Sequence, residues 1–194
     1  MNTRRGFLSV GLQAGLTLAA LGQWPHADAQ AQATEPLPTQ RLQGWLSTPR
    51  LIGQQRFTYW GFSVYDASLW ANATFTANDW AKQALALELR YLRDFKGADI
   101  AQRSMDEMQG QRALTPTQSQ NWSTQLQQLI PNVREGERLT GIYAPQKGLR
   151  LLHQDQLLGE VRDHELAQRF MGIWLAPETS QRQLRQQLLA GAQP

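Results

Sequence analysis

Cysteine is absent from the 194 residues. Its absence excludes disulfides, thiolate metal sites and a cysteine nucleophile together. Histidine is nearly as scarce, with three in all. His26 lies in the leader described below, and His153 and His164 stand alone, whereas a structural or catalytic metal needs three or four protein ligands. Lysine is rare beside arginine, and no block of like charge occurs, so nucleic acid finds no electrostatic footprint. There is no glycine-rich phosphate loop, zinc-protease helix, nucleophile elbow or internal repeat. No metal or cofactor is expected. Long apolar runs are missing as well. The best candidate, residues 10–21, is interrupted by Gly11, Gln13 and Gly15, and a membrane-spanning helix needs about 20 apolar residues.

That weakly apolar stretch follows Thr3-Arg4-Arg5-Gly6-Phe7-Leu8, which fits the twin-arginine export pattern. Small-residue cleavage patterns lie at Ala27-Asp28-Ala29 and Ala29-Gln30-Ala31. Residues 1–31 are therefore expected to be a signal peptide, and the mature protein to be exported or periplasmic, without a stable membrane span. Without Arg4, Arg5 and Asp28 the formal charge falls from +3 to nearly neutral. Residues 32–45, with Pro36 and Pro38, read as linker and lead-in, and 46–191 as one domain, long enough for a proper core. The acceptor patterns Asn72-Ala73-Thr74 and Asn121-Trp122-Ser123 are discounted for glycosylation, because the leader is of bacterial type.

Residues 40–46 open the fold as a short helix or a strand. Two aromatic, β-branched runs, 51–60 and 62–71, meet at Gly61 and predict a strand pair. In the second run Tyr65, Ala67 and Leu69 share one face, and Val64, Asp66, Ser68 and Trp70 the other. Both faces are bulky, so both should be covered. Asn78 and Asp79 are placed to cap a helical turn around Trp80. Composition favours helix over 84–92, yet Leu85, Leu87, Leu89 and Tyr91 alternate strictly with smaller or polar residues, which predicts a strand. A helix follows from Ala98 to about Gln109, with Asp99 in its first turn and Gly110 at its end. Thr115-Pro116 starts another, closed by Pro131. Three short strands over 138–161 form hairpins. Asp163 caps a helix running to about Leu175, and Ser180 with Gln183 matches a capping box before a last helix. Hairpin strands and separate helical runs make the chain α+β, an antiparallel sheet with helices layered on one face.

Chemistry concentrates where arginine meets aromatic residues. Arg56 precedes Phe57, Thr58, Tyr59 and Trp60, and Arg90 and Arg93 bracket Tyr91. Arginine holds a carboxylate or phenolate by paired hydrogen bonds, and aromatic walls hold an apolar body. The bland alternative is that the arginine stems cover aromatic rings at a sheet edge. The stretch 87–108 brings Arg90 and Arg93 to a helix entrance and frames such a cleft.

The segments GFSVYDASLW (61–70), LRYLRDFKGADIAQRS (89–104), RLTGIY (138–143) and FMGIWL (170–175), in this order, resemble the bacterial chalcone isomerase-like family. The resemblance spans residues 51–189. It implies an open-faced β-sandwich with a ligand cleft between sheet and helices. In the plant enzymes of this fold a phenolate oxygen adds across an enone, aided by an arginine, hydroxyl groups and a tyrosine that steadies the enolate. By this resemblance the threonine falls at Thr58, and Asp66 is in register. The arginine has only approximate counterparts, Arg56 or Arg50. The catalytic tyrosine is replaced by Ile100, the asparagine by Glu107 and a late hydroxyl by Asp163. Ile100 offers no hydrogen bond to an enolate. The expected role is accordingly binding of a small amphipathic anion, a fatty acid or phenolic, with Arg56, Thr58, Tyr65 and Arg90 as ligand contacts. One alternative is an isomerase acting on an unsaturated carbonyl compound through Arg90 and Glu107. Another is an accessory protein that binds a partner through Trp45, Trp122 or Trp174.

Overall fold

A computed structural model describes Leu42 and residues 45–193. The leader and most of the linker lie outside the described residues. Strands β1 (Pro49–Tyr59) and β2 (Phe62–Asn72) form the first hairpin. They are followed by a 3-10 turn, Trp80–Lys82, and by β3 (Leu85–Tyr91). Helices α1 (Gly97–Gln111) and α2 (Pro116–Leu129) come next. Strands β4 (Arg138–Ala144), β5 (Gly148–His153) and β6 (Gln156–Val161) precede α3 (His164–Leu175) and α4 (Arg182–Leu188). The six strands form one antiparallel sheet in sequence order. The α+β reading and the alternation over β3 both hold.

Register decides which face each residue serves. Tyr65 pairs with Tyr91, Ala67 with Leu89 and Leu69 with Leu87, which in turn opposes Gly141. This row faces α1 and α3 and forms the main core, with Met105 and Met108 of α1, Trp122 and Leu126 of α2, and Phe170, Met171 and Trp174 of α3. The intervening residues face the other side. There a smaller cluster of Leu42, Leu46, Trp70, Ala86 and Ile142 is buried, so β2 is covered on both faces as its sequence predicts. The lead-in is a helical turn at this point, where the Trp45 and Leu46 amides donate to the Leu42 carbonyl at 3.1 and 2.8 Å.

Two helix ends differ from the sequence reading. Helix α1 runs past Gly110 because a buried arginine from α3 caps it: Arg169 Nη1 donates to the carbonyls of Met108 (3.1 Å) and Arg112 (2.7 Å). The Met108 carbonyl also accepts the Arg112 amide at 3.5 Å, so the arginine adds a second donor there and supplies one to the Arg112 carbonyl, which lies past the last helical turn. The capping box at Ser180 does not form. Gln181 is the residue before α4 and gives no side-chain cap, while Ser180 Oγ donates to Glu107 instead. Thr115 and Asp163 cap α2 and α3 as expected, Thr115 in a complete capping box with Gln118. The C-terminal segment guards the edge strand β1, with the Gly191 amide bonded to the Ile52 carbonyl (2.9 Å) and Arg50 to the Gly191 carbonyl (2.8 Å).

Candidate functional site

Between the front face of the sheet and helices α1 and α3 lies a cavity of about 330 Å³. Leu87, Leu89 and Tyr91 of β3 and Leu139 of β4 make its floor, and Phe57 and Tyr65 one wall. Ile100 and Ser104 of α1 and Phe170 and Trp174 of α3 form the roof. Gly141 helps to keep it open. A Cβ there would stand 3.2 Å from Leu149 Cδ1 and 3.3 Å from Met171 Sδ, so even a methyl group crowds the side chains beside the space.

Polar groups gather at one end. Trp174 Nε1 donates to Tyr65 Oη at 3.0 Å. With its oxygen engaged as acceptor, the Tyr65 hydroxyl keeps its own proton for a further partner. Phe57 stacks on the Tyr65 ring (centroids 5.0 Å apart) and Tyr91 meets it edge-on (5.9 Å), fixing its direction. Burial raises the Tyr65 phenol well above its ordinary range, and the charge of Glu107 adds to this, against smaller lowering by Trp174 and Arg103. Burial raises Tyr91 in the same way. Both stay neutral donors at physiological pH.

Glu107, whose side chain is 11% exposed, accepts from Arg103 one helical turn away and from Ser180 Oγ at 2.8 Å. The Arg103 guanidinium also lies 5.8 Å from the Tyr59 ring centroid. Glu107 engages only part of a guanidinium that carries five N–H donors. Tyr59, Asp99 and Arg103 line the cavity and are exposed, marking where it reaches the surface.

Of the residues predicted as ligand contacts, Tyr65 lines this cavity, and Arg56, Thr58 and Arg90 do not. Placing those three in the cleft is corrected by the sheet's period of two. Arg56 opposes Asp66, which opposes Arg90, so all three occupy the outer face. Arg56 is bound there by both Asp66 oxygens, at 2.7 and 3.0 Å. Thr58 is exposed beyond a register shift after Phe57. Arg90 and Glu107 therefore do not meet in one site. Ile100 and Glu107 do line the cavity, whereas Asp163 caps α3 and accepts from Trp122 Nε1 at 2.9 Å. Trp122 and Trp174 are buried and offer no free aromatic surface, while the half-buried Trp45 ring lies under Lys147 and Arg150, 5.2 and 5.6 Å from its centroid. Sequence reading missed Arg103 as a site residue. Its signal was helical spacing, because Ile100, Arg103, Ser104 and Glu107 fall on one side of α1.

An antiparallel sheet layered by helices over a largely apolar cavity that opens at the surface defines an open-faced sandwich of the chalcone isomerase type. The family model for chalcone isomerase-like proteins matches residues 53–190, and the chain belongs to that family. An uncharacterized protein of Haemophilus influenzae is 29% identical over 139 residues, 71% of this chain, and the match spans 66% of that relative's length. Among solved structures, a fatty-acid binding protein of Arabidopsis thaliana superposes with a TM-score of 0.56 at 11% identity, covering 74% of this chain and 87% of that one. At that identity the likeness concerns the fold.

Proposed function

We propose that the protein binds one small amphipathic molecule, a fatty acid or a phenolic, with its apolar body in the cavity and its polar group at the Tyr65–Arg103 end. The observation that carries this reading is the division of the lining: an aromatic and aliphatic interior with polar groups gathered at one end. The volume of about 330 Å³ lies at the lower end of small-molecule pockets, roughly 300–1,000 Å³. An anionic head takes N–H groups of Arg103 that Glu107 leaves open, and the hydroxyl proton of Tyr65. Glu107, held by Ser180, keeps Arg103 in place while the cavity is empty. Fatty-acid binding by the Arabidopsis structure supports the same class of ligand.

Binding is favoured over isomerisation by Ile100, which supplies no polar group where the family's enzymes use a tyrosine. Native mass spectrometry of the purified full chain, with extraction of co-purified small molecules, tests the proposal. One bound acid or phenol per chain is expected. A chain that arrives empty and takes up neither class refutes it. We further propose export through the twin-arginine signal of residues 1–31. An Arg4→Lys/Arg5→Lys variant should then accumulate in the cytoplasmic fraction, and unchanged fractionation would count against export.

A further inference from the structure

The tip of the β1–β2 hairpin carries an aromatic surface that the core does not use. Trp60 is 85% exposed, Phe62 62% and Tyr59 50%. These make three of the five exposed large hydrophobic residues among the described ones. They fall within four consecutive positions, 59–62, so the exposure is one patch and not scatter. The turn itself is costly. Trp60 and Gly61 both have positive φ, 50° and 79°, the signature of a tight hairpin turn that favours Asn-Gly or Gly-Gly. A bulky side chain at positive φ is strained. The sequence thus places a tryptophan that is 85% exposed where a small polar residue would fold more easily, a pattern associated with function.

Cations flank the aromatics. The Arg93 guanidinium lies 5.3 Å from the Phe62 ring centroid and that of Arg103 5.8 Å from Tyr59. Lys96 is exposed on the same loop as Arg93. The neighbouring acids are partly occupied. Asp94 accepts the Glu135 amide at 2.8 Å, and Asp99 lies in the first turn of α1, where a negative charge suits the helix. Tyr59 and Arg103 also line the cavity where it reaches the surface, so the patch is continuous with the entrance.

We propose that this hairpin tip docks on a lipid bilayer, with Trp60 and Phe62 in the interfacial region and Arg93 and Arg103 toward anionic headgroups. The indole ring combines an apolar body with a polar edge and settles at that depth, the phenyl ring adds apolar contact beside it, and guanidinium groups meet the phosphates. The occupant is a bilayer because a four-residue tip is too small for a stable protein interface, which needs about 800 Å² from each partner. A bilayer accepts a narrow convex tip. The use of the docking, loading or unloading the cavity at the membrane surface, rests on the binding reading above; the docking itself does not.

Flotation of the full chain with vesicles tests it, using phosphatidylcholine alone and phosphatidylcholine mixed with phosphatidylglycerol. The expected result is co-flotation that is stronger on the anionic vesicles. Trp60→Asn should lower the partition at least fivefold while leaving thermal stability equal or higher, because Asn-Gly suits the turn. Arg93→Ala should lower partition on the anionic vesicles only. Absence of co-flotation, or equal flotation of Trp60→Asn and the unaltered chain, overturns the docking. Ligand uptake measured without vesicles reports on the cavity separately, so either reading can fail alone.

Discussion

Replacing Tyr65 by phenylalanine removes one oxygen from the polar end of the cavity and separates two consequences that the geometry ties together. The first is stability. Trp174 Nε1 donates to Tyr65 Oη at 3.0 Å, and Trp174 is only 7% exposed. Phenylalanine leaves that indole N–H without an acceptor, a loss of about 1–3 kcal/mol for a buried unpaired donor. The rings stay in place, since stacking on Phe57 and the edge contact with Tyr91 need no hydroxyl. The second consequence is affinity. A hydrogen bond from the phenol to an ionised head contributes about 1.5–3 kcal/mol, corresponding to a loss of roughly ten- to a hundredfold in binding. Urea denaturation reads the first quantity, and displacement of a fluorescent apolar anion by fatty acids reads the second. Unchanged affinity with lowered stability would mean that the hydroxyl serves only Trp174, and the assignment of the polar end would be wrong. Unchanged stability would refute the buried Trp174–Tyr65 bond itself.

Arg56→Ala should leave fatty-acid affinity within twofold of the unaltered chain, because Arg56 pairs with Asp66 on the outer face. Its cost to stability by urea denaturation should be about 1–3 kcal/mol, because Arg56 is exposed but the Asp66 side chain is only 11% exposed and loses both hydrogen bonds. In alkaline titration, burial holds the phenols of Tyr65, Tyr91 and Tyr143 above their ordinary range in the fold. Stability should therefore be flat below about pH 10 and fall above it, each retained proton adding up to about 1.4 kcal/mol per pH unit to the slope. Phenolate absorbance of these residues should appear together with unfolding; early ionisation in a folded chain would contradict their burial.

Much of the fold was legible because the sheet obeys a period of two and its turns carry their own chemistry. Over β3, strict alternation of leucines outweighed helical composition, since a strand with this pattern buries the whole row while a helix would scatter it. The ends of α1 and α4 were not legible. Arg169 arrives from α3 to cap α1, and Ser180 turns toward Glu107, a partner 73 positions away. No local pattern records such contacts. The placement of the site arginines was, in contrast, available and misread. Neighbours in a strand face opposite ways, so an arginine adjacent to Phe57 or Tyr91 belongs to the other side of the sheet. The column Ile100, Arg103, Ser104 and Glu107 on α1 carried the better signal for the polar end of the cavity. Ile100 and Glu107, found through the family resemblance, do line it.

Ligand binding in the cavity is tested by isothermal calorimetry of a saturated fatty-acid series, octanoate to palmitate, against the unaltered chain and Gly141→Leu. Gly141 lies in the cavity lining, and the atoms nearest a Cβ there are side-chain tips of Leu149, Met171 and Leu151, so a leucine should press on flexible tips and reduce the space. One site per chain with an optimum chain length is expected, weakened at least tenfold by Gly141→Leu while the variant still unfolds cooperatively. Equal binding by both proteins, or heat from neither, would contradict binding in the cavity.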